Sequence, residues 1–163
     1  MRAPAALALL VVLSIVPLAA CGPAVDLTKG LQVDVTSTGW FDAGIVGAGQ
    51  NKLVPSVSFT LKNTSTQKLA ALQVNALFRR VSEKDEWGSG FITVAGSTGL
   101  PPGASSGVLT IRSQLGYTGS EPRLDMLKNS QFVDAKVDLF AKYGAAQWTK
   151  VGEFPIARQL LQP

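Results

Sequence analysis

Eleven carboxylates, one thiol and no histidine are the chain's inventory of groups able to do chemistry. Without histidine, Ser-His-Asp and Cys-His nucleophile systems are out of reach. So are the usual mononuclear zinc sites, which draw on imidazole and thiolate. Paired carboxylates remain, and they suffice for glycoside hydrolysis when held roughly 5–9.5 Å apart. Asp134 and Asp138 share a face by alternation, but four residues of strand separate them by roughly 13 Å. With Lys136 between them they read as a solvated face. The run Glu83-Lys84-Asp85-Glu86 offers oxygens to a hard cation, yet it lacks the spacing of a calcium loop and reads as a charged turn. The stretch GIVGAGQNK from Gly44 has no Lys-Ser/Thr after its glycines and no helix behind it, so it is a sheet connection and not a phosphate cradle. Asn63-Thr64-Ser65 fits a glycosylation acceptor and reads here as a turn. These residues point away from an enzyme and name no metal or cofactor.

Aromatic residues beside glycines are the other group of interest. Trp40-Phe41 follows Gly39, Trp87 precedes Gly88, and Tyr117 lies between Gly116 and Gly119. Loops carry binding residues more often than scaffolds do. Trp40, Phe41, Trp87 and Tyr117 are therefore candidate contacts for a glycan, a small ligand or a protein partner. The competing reading is that Trp40 and Trp87 cap the ends of the domain by packing on its core.

The single cysteine, Cys21, closes an apolar run. Met1-Arg2 is followed by APAALALLVVLSIVPLAA and then the thiol. A positive start, a long apolar stretch and small residues before a cleavage point make up the layout of a secretory signal. Leu18-Ala19-Ala20-Cys21 resembles the lipobox of bacterial lipoproteins. That resemblance implies a diacylglycerol on the Cys21 thiol, removal of residues 1–20, acylation of the new amino group and a place in the cell envelope. Membrane lipid is then a partner through Cys21. An uncleaved span is the alternative, since a bilayer takes roughly 17–25 apolar residues; a buried cysteine in a cytosolic core is another. In lipoproteins of Gram-negative bacteria an aspartate after the cysteine goes with inner-membrane retention; Gly22 stands there instead, which leans toward the outer membrane. A lipid-bearing thiol leaves no disulfide, on which many small exported domains rely. A chain of about 150 residues buries roughly 68–70% of its unfolded surface, which is enough without one.

Strands must position all of this. Residues 21–30 read as the acylated cysteine and a short tether, and 31–163 as one domain. Leu31, Val33 and Val35 alternate with Gln32, Asp34 and Thr36, the sign of a half-buried strand. A glycine-rich loop is expected over 39–52. Val57, Phe59 and Leu61 alternate again, the turn cluster NTSTQK follows, and Leu72, Val74, Ala76 and Phe78 return as the second arm of a hairpin. A helix through Leu69, Leu72 and Ala76 is the alternative for that arm. Short strands are expected at Phe91–Val94 and around Leu109 and Ile111, separated by a loop in which Pro101-Pro102 gives up two donors. Residues 120–128 predict a short helix capped by Ser120, with Leu124, Leu127 and Met126 on its apolar side. Val133, Ala135, Val137 and Leu139 against Asp134, Lys136 and Asp138, then WTKVGEFPIAR, predict a last hairpin with an edge or bulge at Pro155.

Together these elements predict a mainly β, single antiparallel sandwich of about seven strands with one short helix, preceded by a cleavable N-terminal signal helix. From Val54 to Ser113 the chain resembles the FxLYD-type and late-embryogenesis-abundant type-2 sandwiches. VSFTLKNTS, LQVNALFR and LPPG before GVLTIRS carry the likeness, although the FxLYD string itself is absent. An Ig-like fold is what this resemblance implies, and it hardly constrains function. The formal charge of +4 is spread along the chain, with Arg79-Arg80 as the one adjacent basic pair. Nucleic-acid binders cluster their basic residues, so nucleic acid is not an expected partner. The expected function is that of a lipid-anchored, non-enzymatic interaction or assembly module serving another envelope protein. A glycan or small-ligand module built on the aromatics is the alternative.

Overall fold

Leu31, Val33 and Val35 begin a strand that runs well past its apolar pattern. In the computed structural model, which describes residues 23–162, β1 spans Leu31–Val46. The apolar run 3–20 and Cys21 lie outside the described residues. A turn at 47–49 leads into β2, Gln50–Asn63, in register from Leu31 opposite Asn63 to Val46 opposite Gln50. The expected loop over 39–52 is thus mostly hairpin. Its glycines serve a bulge between Asp42 and Ile45 and the tip, where Gly44, Gly47 and Gly49 take the positive φ that side chains resist.

Next come β3 (Leu72–Arg80), β4 (Gly88–Ala95), β5 (Leu109–Arg112) and β6 (Tyr117–Gly119). The chain continues through β7 (Ala135–Lys142), β8 (Thr149–Pro155) and β9 (Leu160–Leu161). Among the described residues two short helices accompany them, α1 (Leu27–Gly30) and α2 (Arg123–Lys128). One sheet runs β5-β2-β1-β9 with β6 also on β2, and the other runs β4-β3-β7-β8. Every pairing is antiparallel except β1 with β9. The described residues therefore form a mainly β, two-sheet, sandwich-like fold of nine strands, where about seven strands and a single helix were expected.

The sheets meet through the predicted faces. Val57, Phe59 and Leu61 are fully buried from one side, and Leu72, Val74, Ala76, Phe78, Val137 and Leu139 from the other. Strand, not helix, is thus the state of 72–80. The β7–β8 hairpin forms as the alternation predicts from Ala135 onward, whereas Val133, expected on the same inward face, lies before β7 and is exposed. Pro155 lies in the edge strand β8, where a missing donor breaks no ladder. Pro55 acts differently, because it sits buried inside β2. The strand beside it splits there: β5 pairs with Ser56–Phe59, β6 with Asn51–Leu53, and the connecting Gly116 passes so close to the Leu53 carbonyl that a Cβ would collide with it.

Further expectations are corrected. The β2 and β3 strands do not form a hairpin; they belong to different sheets. Asn63 redirects the chain: its buried amide donates to the carbonyls of Gln67 and Leu100, each at 2.8 Å, and its Oδ1 accepts from Ser65. That amide is fully engaged, so it is no acceptor for a glycan. In α2, Met126 and Leu127 are buried while Leu124 is 57% exposed, because Met126 seats the helix against Gly119 of β6. Pro122, not Ser120, occupies the N-cap, with no side-chain bond. Residues 23–30, read as a tether, are docked. Leu27 is 2% exposed, Gln67 Nε2 donates to the Pro23 carbonyl at 2.6 Å, and the Val25 N–H donates to the Tyr143 hydroxyl at 2.5 Å.

The registers set two ends. Leu31, Asn63, Leu72, Ala95 and Lys142 mark the entry end, and contacts such as Gly144 N–H to the Ala70 carbonyl tie its loops together. The 81–87 turn and Tyr117 at the start of β6 lie at the far end, roughly 30 Å away at ~3.3 Å per residue, and the β1–β2 hairpin tip reaches on to about 50 Å along β1.

Candidate functional site

Because β1 continues through Trp40-Phe41, these neighbours point to opposite faces. Trp40 turns inward and is 0% exposed. Phe41 turns outward and lies beneath the Arg112 guanidinium, 3.5 Å from the ring centroid. Trp87 closes the 81–87 turn, its N–H donating to the Phe78 carbonyl, and Tyr117 opens β6. Their rings converge on Trp40, whose centroid lies 6.0 Å from Trp87, 5.6 Å from Tyr117 and 4.6 Å from Phe132. Tyr117 also meets Trp87 at 5.0 Å and Phe132 at 4.6 Å. Arg80 covers Trp87 at 4.9 Å, and Arg158 covers Phe132 at 5.1 Å, both within cation–π range. Three of the four singled-out aromatics thus form one cluster at the far end, and Phe41 stays apart. Trp40 packs on the core as a cap would. Among the described residues its buried indole Nε1 has no hydrogen-bond partner.

Phe132 belongs to the cluster as well; in the sequence it stands directly before the alternating run from Val133, with no glycine neighbour to single it out. Beside it opens a cleft of about 350 Å³ lined by Tyr117, Ser120, Glu121, Met126, Asn129 and Phe132 among others. Asn129 Nδ2 lies 3.3 Å from both Glu121 oxygens. Two rings, a carboxylate and an amide on a cleft of this size can stack a small polar ligand and hydrogen-bond its edge.

The carboxylates are arranged otherwise than the alternation implied. Asp134 is solvated and paired with Arg158 at 2.5 Å. Asp138 is 1% exposed, a correction to the solvated face. Alternation places it on the outer side of β7, but Arg79 and Lys150 reach over and cover it. Arg79 hydrogen-bonds it, and Lys150 Nζ lies 2.7 Å from Asp138 Oδ1 and 2.7 Å from Glu153. The lysine meets Oδ1 as an ion pair and not as an aligned hydrogen bond. Lys136 adds a contact to Glu153 at 3.2 Å. A recess of about 410 Å³ lies over this network. Two acids converge here across the β7–β8 pair, which spacing within one segment could not show. Hydrogen bonds from Lys150 and then Lys136 hold the Glu153 carboxyl below its ordinary pKa, the opposite of what a general acid needs. Among the described residues no three potential ligands gather to hold a metal ion, and no helix is long and apolar enough to cross a membrane.

Two expected results follow from this charge layout. Replacing Asp138 by Ala leaves Arg79 and Lys150 facing each other, but their side chains are 24% and 45% exposed and can rehydrate. The loss falls to about 1–3 kcal/mol, below that of a fully enclosed pair, and urea titration reads it. The pH profile follows from the depressed carboxyls. Asp42, bonded first by Arg123, and Glu153 titrate lower in the folded chain than in the unfolded one. Their contribution is present above the unfolded pKa and lost as pH falls through the folded one. With no histidine, the melting temperature stays flat from about pH 5 to 8 and falls below about pH 4.

No family model matches this sequence, and a search of curated proteins finds no match to it.

Proposed function

We propose that this chain is a lipid-anchored protein of the cell envelope, whose sandwich-like domain works as a non-enzymatic interaction or assembly module. The observation that carries the reading is the run from Met1 to Cys21: one charge, a long and mostly apolar stretch, Leu-Ala-Ala, and the chain's single thiol. Anchoring raises the domain's effective concentration for partners on the same surface. Gly22 inclines the reading to the outer membrane. The finer fold assignment, an Ig-like sandwich, rests on the VSFTLKNTS and LPPG segments and belongs to the same proposal.

The cleft beside Tyr117 and Phe132 favours a second reading, in which the far end holds a glycan or other small polar ligand. Phe41 is not part of that site, since it faces away from Trp40.

Intact mass and membrane fractionation of the native protein test the anchor. The expected result is a membrane-bound chain lacking residues 1–20 and carrying lipid mass on Cys21, while Cys21→Ser keeps its N-terminus and bears no lipid. A wild-type chain with an intact N-terminus or a free thiol would sink the proposal.

A further inference from the structure

The docked segment 23–27 leaves little freedom between the domain and whatever holds Cys21. Gln67 fixes Pro23 and Tyr143 fixes Val25. Only Gly22 lies between Cys21 and Pro23, so the thiol carrier sits within about 10 Å of the folded domain at ~3.5 Å per residue. An anchor at Cys21 therefore presses the entry end toward the bilayer.

That end differs in charge from the rest of the molecule. It displays Lys29, Lys62, Lys68 and Lys142, against Asp26 and, beside Lys62 on the neighbouring strand, Asp34. Asp26 pairs with Lys29 at 3.9 Å, and among the described residues Lys62, Lys68 and Lys142 have no acidic partner. At the far end, by contrast, acids and bases are mixed: Arg123 pairs with Asp42 and Arg158 with Asp134, and Asp85, Glu86 and Glu121 stand among Lys52, Lys84 and Arg112.

A second, independent feature lies at the entry end. Trp148, just after the 143–147 turn, is 40% exposed. Lys142 Nζ stands 5.0 Å from its ring centroid, and exposed Phe91 packs on it edge-on at 6.3 Å. A solvent-facing tryptophan flanked by lysine is the combination that settles at the headgroup level of a bilayer, ring in the interface and ammonium on phosphate.

We infer that the entry end is a membrane-apposed face, with Trp148 at the headgroups of an anionic bilayer and Lys68, Lys142, Lys62 and Lys29 on its phosphates. The inference rests on the anchoring proposal for what brings this end to a membrane. Charge chooses the lipid: each lysine near an anionic surface contributes enough to shift binding about fivefold.

Tryptophan fluorescence tests it on the full chain reconstituted into vesicles of phosphatidylcholine alone or with about one third phosphatidylglycerol. Trp40 is fully buried and Trp87 half-buried, so a change in emission belongs to Trp148, and Trp148→Phe should remove it. In anionic vesicles the emission should move to the blue and be quenched by lipids brominated in their acyl chains, with both effects reversed by about 0.5 M salt. Lys68→Gln and Lys142→Gln should each reduce the apposed fraction about fivefold. Vesicle-bound protein whose Trp148 emission ignores lipid charge overturns the face and leaves the anchor standing. A Trp148 response in a chain with no lipid on Cys21 keeps the face and removes the lipid anchor. A chain that floats with neither vesicle type overturns both.

Discussion

Trp40→Ala should cost the domain about 3–5 kcal/mol, enough to unfold much of the population on mild heating. Trp40 is fully buried among Trp87, Tyr117 and Phe132. Its removal leaves a large cavity at the point where β1, the 81–87 turn and β6 meet. The surrounding rings cannot collapse into it freely, because each is held from outside. Tyr117 exchanges hydrogen bonds with the backbone of Val133, and Arg80 and Arg158 lie over Trp87 and Phe132. A melting temperature lowered by roughly 10–20 °C in differential scanning calorimetry is the expected readout. Trp40→Phe, which keeps an apolar ring and discards the unpartnered Nε1, should recover more than half of the loss. A Trp40→Ala domain melting within a few degrees of wild type would show the cluster to be a surface feature and not a core.

Asn63→Ala should cost about 2–3 kcal/mol, and Asn63→Asp should cost more although its shape is nearly unchanged. The alanine variant loses two donated and two accepted bonds at the crossover from β2 to β3. The carbonyls it abandons keep one partner each, Ser65 Oγ for Gln67 and the Leu69 N–H for Leu100, which limits the penalty. An aspartate would instead turn a carboxylate oxygen toward both carbonyls, with burial adding to the repulsion. Chemical denaturation of the two variants gives the order directly. Equal losses would mean that Asn63 acts by shape alone.

The sequence revealed most where alternation was strict. Val57 to Leu61, Leu72 to Phe78 and Ala135 to Leu139 show their inward faces in the spacing alone, since period 2 is a property of the strand itself. Which strands pair was not legible. The turn after Asn63 looks like a hairpin tip, and only the bonds from its buried amide, 37 residues away at Leu100, turn it into a crossing between sheets. Glycine density misled over 39–52, because a bulge and a tight tip need glycine as much as a loop does. The aromatic cluster was half legible. Trp40, Trp87 and Tyr117 drew attention by their types and glycine neighbours, while Phe132 was hidden by the pattern that follows it. Asp138 and Glu153 meet only across two paired strands, so no single segment could have announced them.

Residues 159–161 close the edge of β1 from far along the chain. The Gln159 amide donates to the Thr38 carbonyl across 121 positions, and the Trp40 N–H donates to the Gln159 carbonyl. Contacts of that sequence separation carry a large loop-closure cost and form late. Until they form, the backbone of β1 near Trp40 is an open strand edge, which can recruit the same segment from a second molecule as readily as its own. Folding at high protein concentration should therefore divert part of the material into strand-exchanged dimers, and dilution during refolding should suppress them.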